Sequence, residues 1–458
     1  MIAALPVTTI AQACGGQLIG HPLAPTTAIT GLAIDSRRIK SGDLFAALPG
    51  ARADGHDFAS VAMDQGAAAL LVQRQVEIDC PQIVVDDCQR ALADVARLAR
   101  QPYAGVMLGV TGSAGKTTTK NLLHAVLSKA GRTLATEGNL NNELGVPLTL
   151  SRLDAATEFA VIEMGAGKPG DIAVLQQMVK PNISVLLTVV PAHIEHYGHL
   201  DAIADTKAAI FDGLSTEGLA VINGDLPWAD QWRQRAAPAQ VITFGFSKGV
   251  DYRAKHIQLN GFAGSECQIK TPQGDVVITL ALPGRQGIAN ALATVAVAQS
   301  LGISNKAICE GLQSVLPAKG RGQLYIVNDE VQVIDDSYNA NPSAVSAAIE
   351  VLATCSGRRR LVLGSMLELG QDSDLQHRAI GVAAREAGID DLWVVGELAL
   401  PAAAGFGPGA CVFDSVDTLC EREPQCEGAD VVLVKASRGA ALDRLVTTWV
   451  GKQESRAC

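Results

Sequence analysis

The chain has 458 residues, room for about three domains at roughly 150 residues each. Hydrophobic residues are 48% and charged residues 18%, which excludes a disordered chain, and aromatics are only 4%, so the cores must be aliphatic. The 37 Lys and Arg against 47 Asp and Glu give a net charge of −10, which argues against sequence-independent nucleic-acid binding because that needs a net basic face.

No apolar run approaches the ~20 residues that span a bilayer, so no membrane span is expected. The N-terminus carries an Ala-Gln-Ala at 11–13, but its first basic residue is Arg37 and it contains Pro6. It reads as mature protein, and the compartment as cytoplasmic. Ten cysteines contain no Cys-x-x-Cys pair, so they read as reduced side chains and not as a disulfide or zinc framework.

Residues 1–103 mix short apolar stretches with turns such as Ser41-Gly42-Asp43. A helix is expected over 92–100, leading into Gln101-Pro102 as a linker. From Gly105 the pattern becomes strand, glycine turn, helix. Residues 106–110 read as a buried strand and 116–130 as a helix with Leu122, Leu123, Val126 and Leu127 on one face, closed by Gly131 as a C-terminal cap. Further buried strands are expected at 159–163, 183–190 and 219–223, and alternation with helices implies a parallel sheet. A second break falls near 316–320. Strands at 360–364, 392–396 and 430–435 then predict a smaller doubly wound domain. The fold class is therefore α/β, with three domains over 1–103, 104–316 and 317–458.

The turn after the first strand of the middle domain carries the sharpest chemistry. Gly109-Val110-Thr111-Gly112-Ser113-Ala114-Gly115-Lys116-Thr117-Thr118-Thr119 places glycines where backbone N–H groups can turn toward phosphate oxygens, ahead of a helix N-terminus. Lys116 can neutralise β- and γ-phosphates, and the Thr117 hydroxyl suits Mg²⁺. The general phosphate-loop pattern wants glycine six residues before the lysine, where Val110 stands. The site is expected to bind ATP. Glu163 ends a buried strand beside that loop, where a carboxylate can hold Mg²⁺ directly or through water, or can simply cap a loop. His193, His196 and His199 suggest zinc by spacing. Pro191 and Gly198 disturb a regular helix there, and Mg²⁺ with ATP prefers oxygen ligands, so His196 and His199 are expected to be solvated.

The shortened phosphate loop resembles that of the Mur ligases, ATP-dependent amide-forming enzymes of peptidoglycan precursor synthesis. Three segments are similar to those of the family member that adds the terminal dipeptide: Gly138-Asn139-Leu140-Asn141-Asn142-Glu143-Leu144-Gly145-Val146-Pro147, Asp335-Asp336-Ser337-Tyr338-Asn339-Ala340-Asn341-Pro342 and Gly364-Ser365-Met366-Leu367-Glu368-Leu369-Gly370. The likeness runs from about Asp35 to Gly439. It implies an N-terminal module for a UDP-sugar substrate, a central ATPase-like domain, and a C-terminal Rossmann-like domain that closes on ATP and binds the dipeptide. The implied reaction joins D-alanyl-D-alanine to UDP-N-acetylmuramoyl-tripeptide through an acyl phosphate.

The residue roles that follow are also implied by the resemblance. Gly112, Ser113, Ala114, Gly115, Lys116, Thr117 and Thr118 cradle the nucleotide. Two Mg²⁺ ions lie among Thr117, Glu163, His193 and Lys207, the last as a carbamate formed with CO₂. Asn290 reads adenine, although Gln286 and Gly287 depart from the family's usual His and Asn in Gly284-Arg285-Gln286-Gly287-Ile288-Ala289-Asn290. Arg321, Asp336, Tyr338 and Asn339 approach the nucleotide from the C-terminal domain. Ser36 and Arg37 are the choices for uridine and diphosphate, and Asn142 for substrate. Lys435, Ser437 and Arg438 are substrate contacts, with the two cations suited to carboxylates. A monomer is expected. Two alternatives stay open: a superfamily ligase for another peptide or for folate, and an ATP-binding regulator without catalysis. Whether the third peptide residue is diaminopimelate or lysine has no readable motif.

Overall fold

The computed structural model describes residues 1, 3–20, 27–50, 53–191, 194–327, 331–423 and 428–454, with side chains to Gly451. Three α/β units follow one another, each around its own sheet. In the first, strands run in the order Gln17–Ile19, Gln82–Val84, Ala69–Val72, Asp43–Ala46 and Gly31–Ala33, parallel except for the first pair. A two-stranded ladder of Leu5–Pro6 with Ala28–Ile29 stands beside it.

The helix expected at 92–100 begins earlier, at Cys88, because Asp87 caps it by accepting the N–H groups of Gln89 and Arg90. The segment after it is no slack linker. Arg100 donates to the carbonyls of Val179 and Lys180 of the middle domain, and Tyr103 is buried in that domain's core.

The middle domain is built on nine strands. Seven are parallel in the order Thr133–Ala135, Phe159–Glu163, Val106–Thr111, Ile183–Leu186, Leu219–Asn223, Gln240–Gly245 and Tyr252–Leu259. Ser265–Lys270 and Val276–Leu280 then add an antiparallel edge. The strand expected over 183–190 ends at Leu186. Both faces are covered: Leu108, Val110 and Val161 pack under helices Lys116–Leu127 and Gly284–Ser300, while Met107, Ala160 and Ile162 face the opposite core. Burial on both sides explains why these strands read as continuous apolar runs.

The phosphate-loop helix ends at Leu127. Gly131 does not take the left-handed cap conformation expected of it: its φ is not positive, its N–H donates to the Leu127 carbonyl and its carbonyl accepts the Thr133 hydroxyl.

The third domain orders its strands Gln323–Val327, Val331–Asp336, Val431–Lys435, Arg359–Gly364, Asp391–Val395 and Ala410–Phe413, with only the first pair antiparallel. Among the described residues no helix is long and apolar enough to cross a membrane. The eight described cysteines are free thiols.

Candidate active site

Val106–Thr111 is the first strand of the middle sheet, and later strands leave it on both sides. Its carboxyl end is therefore the switch point at which an open parallel sheet forms a crevice. The phosphate loop sits there. Gly115 caps the following helix at φ 84, a left-handed conformation that an L side chain resists. A Cβ at Gly115 would also stand 2.4 Å from Asn290 Oδ1. The loop thus packs against the helix Gly284–Ser300, where Gln286 Nε2 donates to that same Asn290 oxygen at 3.2 Å.

Lys116 Nζ donates to the Gly112 carbonyl at 2.8 Å. Burial holds its pKa below the ordinary lysine value, against the raising effect of Glu163. The Ser113 N–H bonds the Thr188 carbonyl at 2.7 Å, so this amide is not part of a phosphate cradle, but the buried Ser113 hydroxyl has no partner among the described residues.

Glu163 closes the neighbouring strand, 1% exposed. Its Oε1 accepts from Thr117 Oγ1 at 3.2 Å and from Asn141 Nδ2 at 2.7 Å, and its backbone N–H donates to Thr136 Oγ1 at 2.9 Å. Oε2 is buried and has no hydrogen-bond partner among the described residues. A lone carboxylate oxygen beside a threonine hydroxyl is the oxygen donor set that a hard cation takes, so the residues present fit Mg²⁺.

Lys207 lies on helix Leu200–Ala208, 3% exposed. Burial, reinforced by the charge of Lys116 and opposed by Asp171, lowers its pKa to about 7. His193 lies outside the described residues. His196 and His199 are exposed, and His199 Nδ1 caps the Lys207 helix by accepting the Ala202 N–H. No group of three or more His, Cys, Asp or Glu suited to a metal occurs among the described residues.

A cleft of about 470 Å³ separates this machinery from the third domain. Ser113, Ala114, Gly115, Thr118, Gln286 and Asn290 line one wall; Arg321, Asp336, Asn339 and Lys435 line the other. Phe244, Phe246 and Leu282 give it an apolar end, with the Arg285 guanidinium 4.2 Å above the Phe246 ring. Such an apolar end with amides at its rim suits a purine.

Asp336 and Lys435 end adjacent strands and pair at 2.6 Å. Lys435 Nζ also donates to the Asn339 carbonyl and is 3% exposed, so it is spent on the protein and does not present a free cation to a substrate carboxylate. Ser437 is likewise turned inward: its hydroxyl donates to the Ala340 carbonyl and accepts the Leu367 N–H. Tyr338 lies between Arg321 at 4.2 Å and Arg438 at 5.4 Å, which leaves the exposed Arg438 as the cation of this segment.

In the first domain Ser36 is buried. The exposed Arg37 guanidinium folds back on Asp35 with contacts of 2.9 and 2.8 Å, holding that carboxyl below its usual range, so it does not point away toward a diphosphate. The exposed Asn142 uses its side-chain oxygen on the Gly145 N–H. Sequence reasoning passed over Asn141 and Thr136, which hold Glu163, and Lys120, whose buried ammonium donates to the Thr136 carbonyl at 2.9 Å. Asn141 sat unremarked in a segment already singled out, and nothing local distinguished it from its neighbour.

Three family descriptions match in series. Residues 28–106 match "Mur ligase family, catalytic domain", 110–298 "Mur ligase middle domain" and 320–438 "Mur ligase, glutamate ligase domain". The UDP-N-acetylmuramoyl-tripeptide--D-alanyl-D-alanine ligase of Escherichia coli K12 is 38% identical over 93% of this chain and 94% of its own. A crystal structure of MurF from Acinetobacter baumannii superposes with a TM-score of 0.89 at 31% identity, covering 98% of this chain and all of the other. MurF from Thermotoga maritima, solved with ADP, gives 0.81 at 29% identity over 93% and 98% of the two chains. With its three domains in family order and the phosphate loop at the switch point, the chain belongs to the Mur ligase family.

Proposed function

We propose that the chain joins D-alanyl-D-alanine to UDP-N-acetylmuramoyl-tripeptide at the expense of ATP, in the cytoplasm and as a monomer. The observation that carries the reading is one cleft in which the phosphate loop and Asn290 face Arg321, Asp336 and Asn339 of the third domain, with Glu163 hydrogen-bonded to Thr117 of that loop, in a chain 38% identical to a ligase of that name.

A carboxylate is a poor electrophile, and its amide forms only after activation. The γ-phosphoryl of ATP passes to the tripeptide carboxylate, giving an acyl phosphate and ADP. The dipeptide amine then attacks the acyl carbon, phosphate leaves, and the amine loses a proton. Lys116 offsets charge on the transferring group, and the unpartnered Ser113 hydroxyl donates to a phosphate oxygen. Asn290, its oxygen held by Gln286, presents its amide toward the base. Thr117, Glu163, His193 and Lys207 would hold Mg²⁺, which neutralises phosphate charge when bound.

Lys207 acts there as a carbamate. Its lowered pKa supports this, because CO₂ adds only to a neutral amine and releases a proton as the N–C bond forms. Arg321, Asp336 and Asn339 form the facing wall, Tyr338 packs against Arg321, and Arg438 is the cation left for a substrate carboxylate. Closing that wall excludes water, which would otherwise hydrolyse the acyl phosphate. The test is phosphate release from ATP with the UDP-tripeptide, with and without dipeptide, following product by mass. Dipeptide-dependent release with a pentapeptide product is expected; release without that product would assign a different acceptor amine.

A further inference from the structure

Glu163 is held at two points by one loop, which the helix Lys116–Leu127 braces in turn. Asn141 Nδ2 occupies its Oε1 at 2.7 Å, Thr136 Oγ1 accepts its backbone N–H at 2.9 Å, and Lys120 Nζ clamps the Thr136 carbonyl at 2.9 Å. Asn141 is itself fixed: its carbonyl accepts the Gly165 N–H at 2.7 Å, and its Oδ1 lies where any Cβ at Gly165 would come within 2.8 Å. That packing turns the amide so that the NH₂ faces Glu163 and the oxygen faces Gly165. One carboxylate oxygen is thereby saturated by Asn141 and Thr117, while the other is buried without a partner.

We infer that Asn141 is a positioning residue for the metal carboxylate: its amide locks the Glu163 rotamer with Oε2 facing the site, so it sets divalent-cation affinity without touching the cation. A freely rotating carboxylate would have to lose torsional freedom on each binding event, and one whose Oε1 lacks its donor would turn to find another. Partners of this kind commonly change metal affinity about 10- to 100-fold. The inference rests on the Mg²⁺ reading of the site given above.

The test measures Mn²⁺ affinity of the full-length protein in the presence of ADP by electron paramagnetic resonance, for wild type, Asn141→Ala and the similarly sized Asn141→Leu. Metal-free melting temperatures serve as the check on folding. Both variants should bind Mn²⁺ at least tenfold more weakly while melting near wild type, and their activity should return as Mg²⁺ is raised tenfold, with KM for ATP little changed at saturating Mg²⁺. Unchanged Mn²⁺ affinity in a folded variant overturns this inference and leaves the metal reading intact. No Mn²⁺ binding by wild type overturns both. Should neither variant fold, selective ¹⁵N-asparagine labelling of wild type decides: the Asn141 side-chain amide resonances should move on Mg²⁺ addition, and an unresponsive amide overturns the inference.

Discussion

Raising the pH from 6 to 8 under a fixed pressure of ¹³CO₂ should increase a carbamate signal on Lys207 at least tenfold. An ordinary lysine with a pKa near 10.4 is neutral in only about four parts in ten thousand at pH 7, too little to react appreciably. At a pKa of about 7 the neutral amine rises from roughly one part in eleven at pH 6 to roughly ten in eleven at pH 8. Carbamate formation itself releases a proton, which steepens the dependence further. The cause is structural. The ammonium is 3% exposed, the charge of Lys116 adds to the penalty, and Asp171 only partly relieves it. The assay is ¹³C NMR of the full chain, with Lys207→Arg as the control because a guanidinium stays charged throughout.

The same burial predicts a stability slope of known sign. Below about pH 7 the folded and unfolded states both carry the proton and the cost of burying it is fully present. As pH rises toward the unfolded-state value the folded state holds fewer protons, so stability relative to Lys207→Met should rise. A resonance absent at pH 8, or one that survives in Lys207→Arg, refutes the reasoning.

Gly115→Ala should lose ~1–2 kcal/mol of stability from its left-handed backbone and raise KM for ATP more than tenfold, because the new methyl displaces Asn290; calorimetry and initial rates read both. Lys435→Met strands Asp336 and should cost up to ~3 kcal/mol in chemical denaturation, with Lys435→Met/Asp336→Asn recovering part of it. Additive losses would mean the pair is not coupled. If the third domain closes the cleft, small-angle scattering should show compaction with nucleotide and UDP-tripeptide together; an unchanged radius of gyration removes domain closure from the account.

Periodicity made the scaffold legible. Val106–Thr111, Phe159–Glu163 and Val431–Lys435 are buried on both faces, so each stands out as an apolar run with a polar residue at its carboxyl end. The antiparallel edge from Ser265 to Leu280 has no continuous apolar run, since its strands alternate buried with exposed positions, and sequence reasoning passed over it. The phosphate loop was legible because its glycines and Lys116 are contiguous. What escaped were residues whose meaning is a direction. Lys435, Ser437 and Arg37 have the right chemistry for ligands, but their side chains are turned onto Asp336, Ala340 and Asp35. Asn141 and Asn142 are identical letters one position apart; the first reaches Glu163 and the second caps a turn.

The electrostatics of the cleft follow from the same distinction. Lys116, Lys120 and Lys207 are buried close enough for their charges to act on one another or on Glu163, and burial lowers the pKa of all three. Glu163 is the one carboxylate among the described residues that touches Thr117 at the loop. Burying Lys116 and Lys120 beside the single Glu163 carboxylate is unfavourable in a protein core, and the loop Thr136–Gly145 with helix Gly284–Ser300 must hold the arrangement against that cost. A polyphosphate supplies the missing negative charge, so its binding should be strongest where the protein alone is most strained. Asn290 against Gly115, Asn141 on Glu163 and Lys435 on Asp336 each hold a polar group in one orientation, an arrangement that would leave little reorganisation when charge moves on a bound ligand.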